Sequence, residues 1–145
     1  MLRLSKKADY GLIAVKHLAA HGSDGTCSAS DIARTCGISS ALTAKVLQRL
    51  ARSGLILSRH GSDGGYQLAR PAREISAFEV ISAIDGPLAI TSCVTTHGEC
   101  GQASTCTVRA PLRRVNESIL QILKAVTISQ MSDDSAEHAF VDLAR

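Results

Sequence analysis

Between residues 28 and 68 the chain passes through two short segments that each open on a serine and close on a glycine, then enters a glycine-rich tip, an order that few folds accommodate. "SASDIARTCG" starts with a Ser28 to Asp31 capping pattern, lasts about two turns and stops at Gly37. "ISSALTAKVLQRLARSG" opens on Ser39 or Ser40 and closes at Gly54. Two short helices joined by a Gly-containing turn of about four residues carry the signature of a helix-turn-helix. The next segment, "LILSRHGSDGGYQLAR", holds two β-prone runs around "HGSDGG", which predicts a hairpin with a mobile tip. A helix-turn-helix followed directly by a hairpin is a winged helix. The expected fold is therefore mainly α with a small β-hairpin wing, a winged helix-turn-helix.

The flanking segments read as helices. "SKKADYGLIAVKHLAAHG" has helical apolar spacing at Leu12, Ile13, Val15, Leu18 and Ala19 and ends at Gly22, a candidate left-handed stop. "SAFEVISAIDGP" carries a Ser76 to Glu79 capping box and a Gly86-Pro87 stop. "PLRRVNESILQILKAV" is a long amphipathic helix with Val115, Ile119, Ile122, Leu123 and Val126 on one stripe. That stripe has no obvious cover within a winged-helix domain, whereas two antiparallel copies would cover each other, so a homodimer is expected. The tail "SDDSAEHAFVDLAR" is acidic and weakly periodic, and fraying or disorder is expected there. The predicted organisation is a winged helix-turn-helix domain over 1–86, a cysteine loop over 87–109, a dimerisation helix over 110–131 and the acidic tail over 132–145.

A length of 145 residues suits one ordinary domain with an appended helix. No apolar run approaches the roughly 20 residues of a membrane span, and "MLRLSKKADYG" lacks the apolar core of a signal peptide, so a cytoplasmic protein with no membrane partner is expected. The net charge of +3 hides an asymmetry. Residues 1–73 carry 11 Lys/Arg against 4 Asp/Glu, a net of +7, and residues 74–145 carry 5 against 9, a net of −4. A basic first half points to a polyanion-binding module. Projected at ~100° per residue, the second helix of the pair turns Thr43, Val46, Leu47 and Leu50 to one side and Ala41, Ala44, Lys45, Gln48 and Arg52 to the other. Small and polar side chains of this kind can enter a major groove. A merely solvated face looks the same, and the adjacent wing and the +7 half favour double-stranded DNA. Ser40 and Arg49 on the same helix, with Arg59 and His60 on the wing, complete the candidate contacts. Nothing resembles a nucleophile-base-acid arrangement or a phosphate-cradling P-loop, so no enzymatic activity is expected.

Three of the five cysteines, Cys93, Cys100 and Cys106, fall in "TSCVTTHGECGQASTCTVR" with spacing C-x6-C-x5-C. Under reducing conditions such a cluster points to metal binding or redox sensing rather than disulfides. Compact C-x2-C pairs are missing, which disfavours zinc, and "THGECGQAST" is too polar for the cysteines to be core residues. Cys27 and Cys36, on either side of the short helix, are read as packing residues. His17 and His21 are read as surface or boundary positions.

The segments "ADYGLIAVKHLA", "SASDIA", "KVLQRLARSGLI", "GSDGGYQLARP", "ISAFEVISAIDGPLAIT" and the three cysteines followed by "VRAPLRRVNESI" together resemble the Rrf family of winged-helix regulators, which includes the IscR-, NsrR- and RirA-like iron-sulfur repressors. "DGPLAITSC" and "CTVRAPLRRVN" resemble most the regulators of SUF iron-sulfur assembly operons. The resemblance implies a homodimeric repressor that reads a pseudo-palindromic operator and senses iron, redox or nitric oxide status through an iron-sulfur cluster on Cys93, Cys100 and Cys106. It leaves 2Fe-2S and 4Fe-4S both open. The histidine that completes the site in IscR-like members is replaced by Arg109. Asp9 matches the aspartate that, in NsrR-like members, comes from the partner subunit. His97 and Glu99 are nearer candidates in sequence. His60 stands where relatives carry a minor-groove arginine, which leaves Arg59 as the wing cation. The alternative is a cluster-free winged-helix regulator whose thiols respond to oxidants directly or bind zinc.

Overall fold

The computed structural model describes residues 3–22, 25–94 and 100–133. Helices α1 (Lys6–His21), α2 (Ala29–Cys36) and α3 (Ser40–Arg52) lead into a hairpin of β1 (Ile56–Arg59) and β2 (Gly65–Leu68). Helices α4 (Ala77–Asp85), α5 (Arg109–Ala125) and α6 (Ile128–Ser132) follow. Among the described residues, five of the six α-helix starts are those that short hydroxyl side chains dictate, α5 being the exception. Ser5, Ser28, Ser39, Ser76 and Thr127 each accept a hydrogen bond from a backbone N–H in the first turn of the helix that follows. Gly37 ends α2 in the left-handed conformation at φ 65°. Gly22 ends α1 at φ −66° and ψ −19°, so the left-handed stop expected there is not the one used.

The core gathers around α1, which lies against both α3 and α4. Leu18, Ile32, Leu47, Leu50, Ile56, Ile75, Ile81 and Ile128 are its largest fully enclosed side chains, drawn from every described helix except α5 and from the first strand. Burying a side chain of this size is worth roughly 1.5–3 kcal/mol, so among the described residues most of the apolar stabilisation lies in the winged-helix head, with Ile128 of α6 joining it.

In the wing, antiparallel pairing runs from Ile56 opposite Leu68 to Arg59 opposite Gly65. A third element joins it: Cys27 and Tyr66 exchange backbone hydrogen bonds at 2.9 and 2.8 Å, and the Thr26 hydroxyl donates to the Asp63 carbonyl at 2.8 Å. This close approach explains one glycine of "GGY". Gly65 has φ 150°, and a Cβ there would stand 2.6 Å from the Cys27 carbonyl oxygen.

The stretch expected as one helix from 110 to 131 is two. Val126 turns extended (φ −78°, ψ 116°), and a second capping box, Thr127 with Gln130, starts α6. The break lets the chain return to the head. The Ala77 N–H donates to the Val126 carbonyl and the Ile128 N–H to the Ile75 carbonyl, both at 2.8 Å, pairing Ser76 with Thr127. Leu123 and Val126 consequently pack against the core, while Val115 and Ile122 stay exposed. Of the expected tail, residues 134–145 lie outside the described residues. Among the described residues no helix is long and apolar enough to cross a membrane.

Glu79 closes the first capping box, accepting from the Ser76 N–H at 2.9 Å and from Arg70 Nη2 at 2.7 Å. Burial pushes its carboxyl up, but the hydrogen bonds from Ser76 and Arg70 outweigh this and hold it below the ordinary 4.5. Glu79→Ala is therefore expected to lower stability by about 1 kcal/mol in urea titrations. That difference should be full above pH 4.5 and shrink as pH falls through the depressed folded value, because the wild type then loses the same contribution.

Candidate nucleic-acid interface and cysteine loop

Helix α3 divides as its periodicity requires. Thr43, Val46, Leu47 and Leu50 are buried, and the Thr43 hydroxyl is satisfied by the Ser39 carbonyl at 2.7 Å. Ser40, Ala41, Lys45, Gln48, Arg49 and Arg52 are exposed and Ala44 is half-buried, so the candidate contacts on the helix share one outward side. Arg59 at the end of β1 and the adjoining His60 are exposed on the wing.

Arg49 is more than a surface cation. Its Nη1 donates to the Ile84 carbonyl at 2.6 Å, in the last turn of α4. At the same helix end, Asp85 accepts from the backbone N–H and the hydroxyl of Ser5, the residue that caps α1. The C-terminal turn of α4 thus holds both the outward helix α3 and the start of α1. Beside this junction lies a cleft of about 210 Å³, lined by Lys7, Lys45, Val46, Gln48, Arg49 and Arg52. Lys7 is absent from the sequence-derived set, because its position on α1 gives no hint that α1 lies alongside α3.

The cysteine loop connects α4 to α5. Cys93 sits in a single 3-10 turn, Ser92–Val94, half-buried, with its Sγ 3.1 Å from the Thr91 hydroxyl. Cys106 is half-buried and Cys100 exposed, and none of the three forms a disulfide. The start of the loop is clipped to α5, since the Ile90 N–H donates at 3.0 Å to the side-chain oxygen of Asn116, the one buried residue of that helix. Asp9 lies in the first turn of α1 and is exposed. His97 and Glu99 lie outside the described residues. Among the described residues, no three His, Cys, Asp or Glu side chains come together as a metal-binding group. The donor chemistry of three unbridged thiols on one loop nevertheless fits an iron-sulfur cluster, which takes thiolate ligands.

The two remaining cysteines sit in the head. Cys27 and Cys36 are half-buried against the core. Burial pushes the Cys36 thiol up, away from the reactive thiolate, and its Sγ lies 3.8 Å from His17 Nδ1. Burial and then the stacked His21 ring, 4.2 Å between centroids, hold the His17 imidazole below its ordinary value, against the opposing pull of Asp31. Both shifts favour the uncharged forms of the pair.

Comparison with known proteins finds relatives of the same family and fold. Residues 4–134 match the profile of the Rrf2 family, described as iron-dependent transcriptional regulators. The chain is 32% identical over 130 residues to the HTH-type transcriptional regulator IscR of Xenorhabdus nematophila, covering 90% of this chain and 79% of that protein. Among solved structures it resembles CymR, the global cysteine regulator of B. subtilis, with a TM-score of 0.75 and 26% identity over 91% of this chain and 97% of the other. It also resembles T. potens IscR, with a TM-score of 0.73 and 29% identity over 95% of this chain and 90% of that one.

The bond from Arg49 to Ile84 separates the cations of α3 by their structural weight. Arg49→Ala is expected to cost about 1 kcal/mol or more in urea unfolding, as for a hydrogen bond from a charged donor, whereas Lys45→Ala should stay within about 0.5 kcal/mol of wild type.

Proposed function

The chain belongs to the Rrf2 family of transcriptional regulators, and from that premise we propose that it is a homodimeric repressor whose hold on a pseudo-palindromic operator is set by an iron-sulfur cluster. As a member of that family it is a DNA-binding regulator and not an enzyme. The proposal divides the chain into a DNA-binding head over 1–86, a cluster-binding loop over 87–109 and a dimerisation segment over 110–131, and sets the protein in the cytoplasm. On "DGPLAITSC" and "CTVRAPLRRVN" it sets the chain nearest to the regulators of SUF iron-sulfur assembly operons.

In this reading α3 enters the major groove. Ser40, Ala41, Ala44, Lys45 and Gln48 face base edges, Arg49, Arg52 and the wing's Arg59 the phosphate backbone, and His60 lies beside Arg59 on the wing. Cys93, Cys100 and Cys106 hold the cluster, with Asp9 as the proposed fourth donor, supplied across the dimer. Such a cluster supplies a group whose charge and ligation change on oxidation, nitrosylation or loss of iron. The observation that carries the reading is the position of the three thiols. Their loop leaves α4 just after Ile84 and Asp85, which hold α3 and α1, and it is clipped to α5 by Asn116. Ordering or loosening the loop therefore biases the placement of the reading helix relative to the dimer axis, which is a differential affinity for DNA in two states.

A second reading, a cluster-free regulator with thiols that meet oxidants or zinc directly, draws on the likeness to CymR and on the absence of a converged metal-binding group among the described residues. Iron and sulfide quantitation with visible spectra on anaerobically purified protein, beside a DNA mobility shift before and after air or nitric oxide, separates the two. The proposal expects brown, iron-containing protein whose operator affinity changes on exposure. Colourless, iron-free protein with an oxidant-dependent shift belongs to the second reading.

Cys93→Ala, Cys100→Ala and Cys106→Ala are each expected to lose stable iron and to leave a folded dimer with an unresponsive DNA affinity. A triple variant that still responds would move the sensing chemistry elsewhere. The exposed Val115 and Ile122 are the proposed dimer contacts. The double change Val115→Glu with Ile122→Glu should yield a monomer in sedimentation at micromolar concentration and lose the advantage of a full site over a half-site.

A further inference from the structure

Four cations line the cleft between the first turn of α1 and the outward side of α3: Lys7, Lys45, Arg49 and Arg52. Among the described residues none of them is in an ion pair, although four ion pairs form elsewhere. The carboxylate at this end of α4, Asp85, is engaged by Ser5 instead. Gathering like charges around one concavity without an acid raises its free energy unless an anion enters, and a concave wall focuses the field of the charges that line it. The donors also suit a phosphoryl group. Lys7 is a compact point charge, and Arg49 is oriented by its bond to the Ile84 carbonyl while other guanidinium N–H groups stay available.

We propose that this cleft seats a backbone phosphate of the bound DNA, with Lys7 of α1 as a sequence-independent contact that fixes how deeply α3 enters the groove. The inference rests on the DNA-binding reading above and adds a residue and a ligand class to it. The cleft opens on the α1 side of α3, where the DNA backbone must pass once that helix lies in a major groove. A lysine meeting a phosphate there carries no base information, so it contributes equally on every sequence.

The test is the salt dependence of binding to a mixed-sequence duplex, for wild type, Lys7→Ala and Lys16→Ala. Lys16 is the matched control: it is exposed on the same helix, nine residues on and about half a turn around, outside the cleft. One lost phosphate contact flattens the slope of log affinity against log salt by about 0.9, so the fall in affinity between 50 and 200 mM salt should be about threefold smaller for Lys7→Ala than for wild type. Lys16→Ala should keep the wild-type slope. Lys7→Gln, which retains most of the stem, should reproduce the Lys7→Ala slope and guards against a folding artefact. Equal slopes for Lys7→Ala and Lys16→Ala on a duplex that the wild type binds would overturn the proposal and leave the DNA reading intact. A wild type that binds no duplex would sink that reading itself. A Lys7→Ala variant that loses binding of inorganic phosphate at matched ionic strength, yet keeps the wild-type slope on DNA, would make the cleft a site for a free anion and also overturn the proposal.

Discussion

The head depends on the close approach of α1 to α4 at Gly11. Gly11 is buried in the middle of α1, and a Cβ there would stand 3.2 Å from Ile84 and 3.4 Å from Val80, both on α4. Glycine inside a helix costs about 1 kcal/mol relative to alanine, and a Cβ here would press on the Ile84 side chain by a few tenths of an ångström. Because α1 and α4 approach closely, the end of α4 lies within reach of Ser5 on one side and Arg49 on the other. The cap of α1, the anchor of α3 and the exit of the cysteine loop are brought to one corner of the fold by that contact.

Function follows from what meets at the corner. The buried residues of α3 fix which side of it faces outward. The helix meets its neighbours through Arg49 on the Ile84 carbonyl and through Val46, packed near Gly11. The loop that carries Cys93, Cys100 and Cys106 starts within a few residues of these contacts. In the proposed regulator a change in the loop would reach α3 through one helix turn and two hydrogen-bonded partners rather than through the whole core, which is too densely packed to deform continuously.

The parts of this arrangement that are local were legible in the sequence. Ser28, Ser39 and Ser76 announce their helices, and "HGSDGG" announces the hairpin, because caps and turns act within four residues. The division of α3 into an apolar and a polar side follows from periodicity alone. What escaped was long-range. Cys27 reads as a residue before a helix, and only the fold reveals it as a third strand position paired with Tyr66. Arg49 reads as a solvated cation, because a helical projection cannot show that its arm reaches a carbonyl 35 residues away. The capping box "TISQ" was visible in principle at Thr127 and Gln130, but it falls at the end of a long amphipathic run and was absorbed into it. The loop cysteines were found by their spacing and polar context, while the cleft with Lys7 had no signal in a linear chain.

The seam at Ser76 and Thr127 joins two helix starts back to back, each with its own capping box, and it lies at the C-terminal end of α5. It behaves as a fulcrum. With its far end at Arg109, next to the cysteine loop, the 17-residue α5 is a lever about 26 Å long, so a tilt of ~10° about the seam carries that end roughly 4–5 Å. The clip between Asn116 and Ile90 acts partway along this arm and acts as its detent. In the proposed regulator a shift among the thiols acts at the arm's free end, so it would swing α5, with the exposed Val115 and Ile122, about the seam.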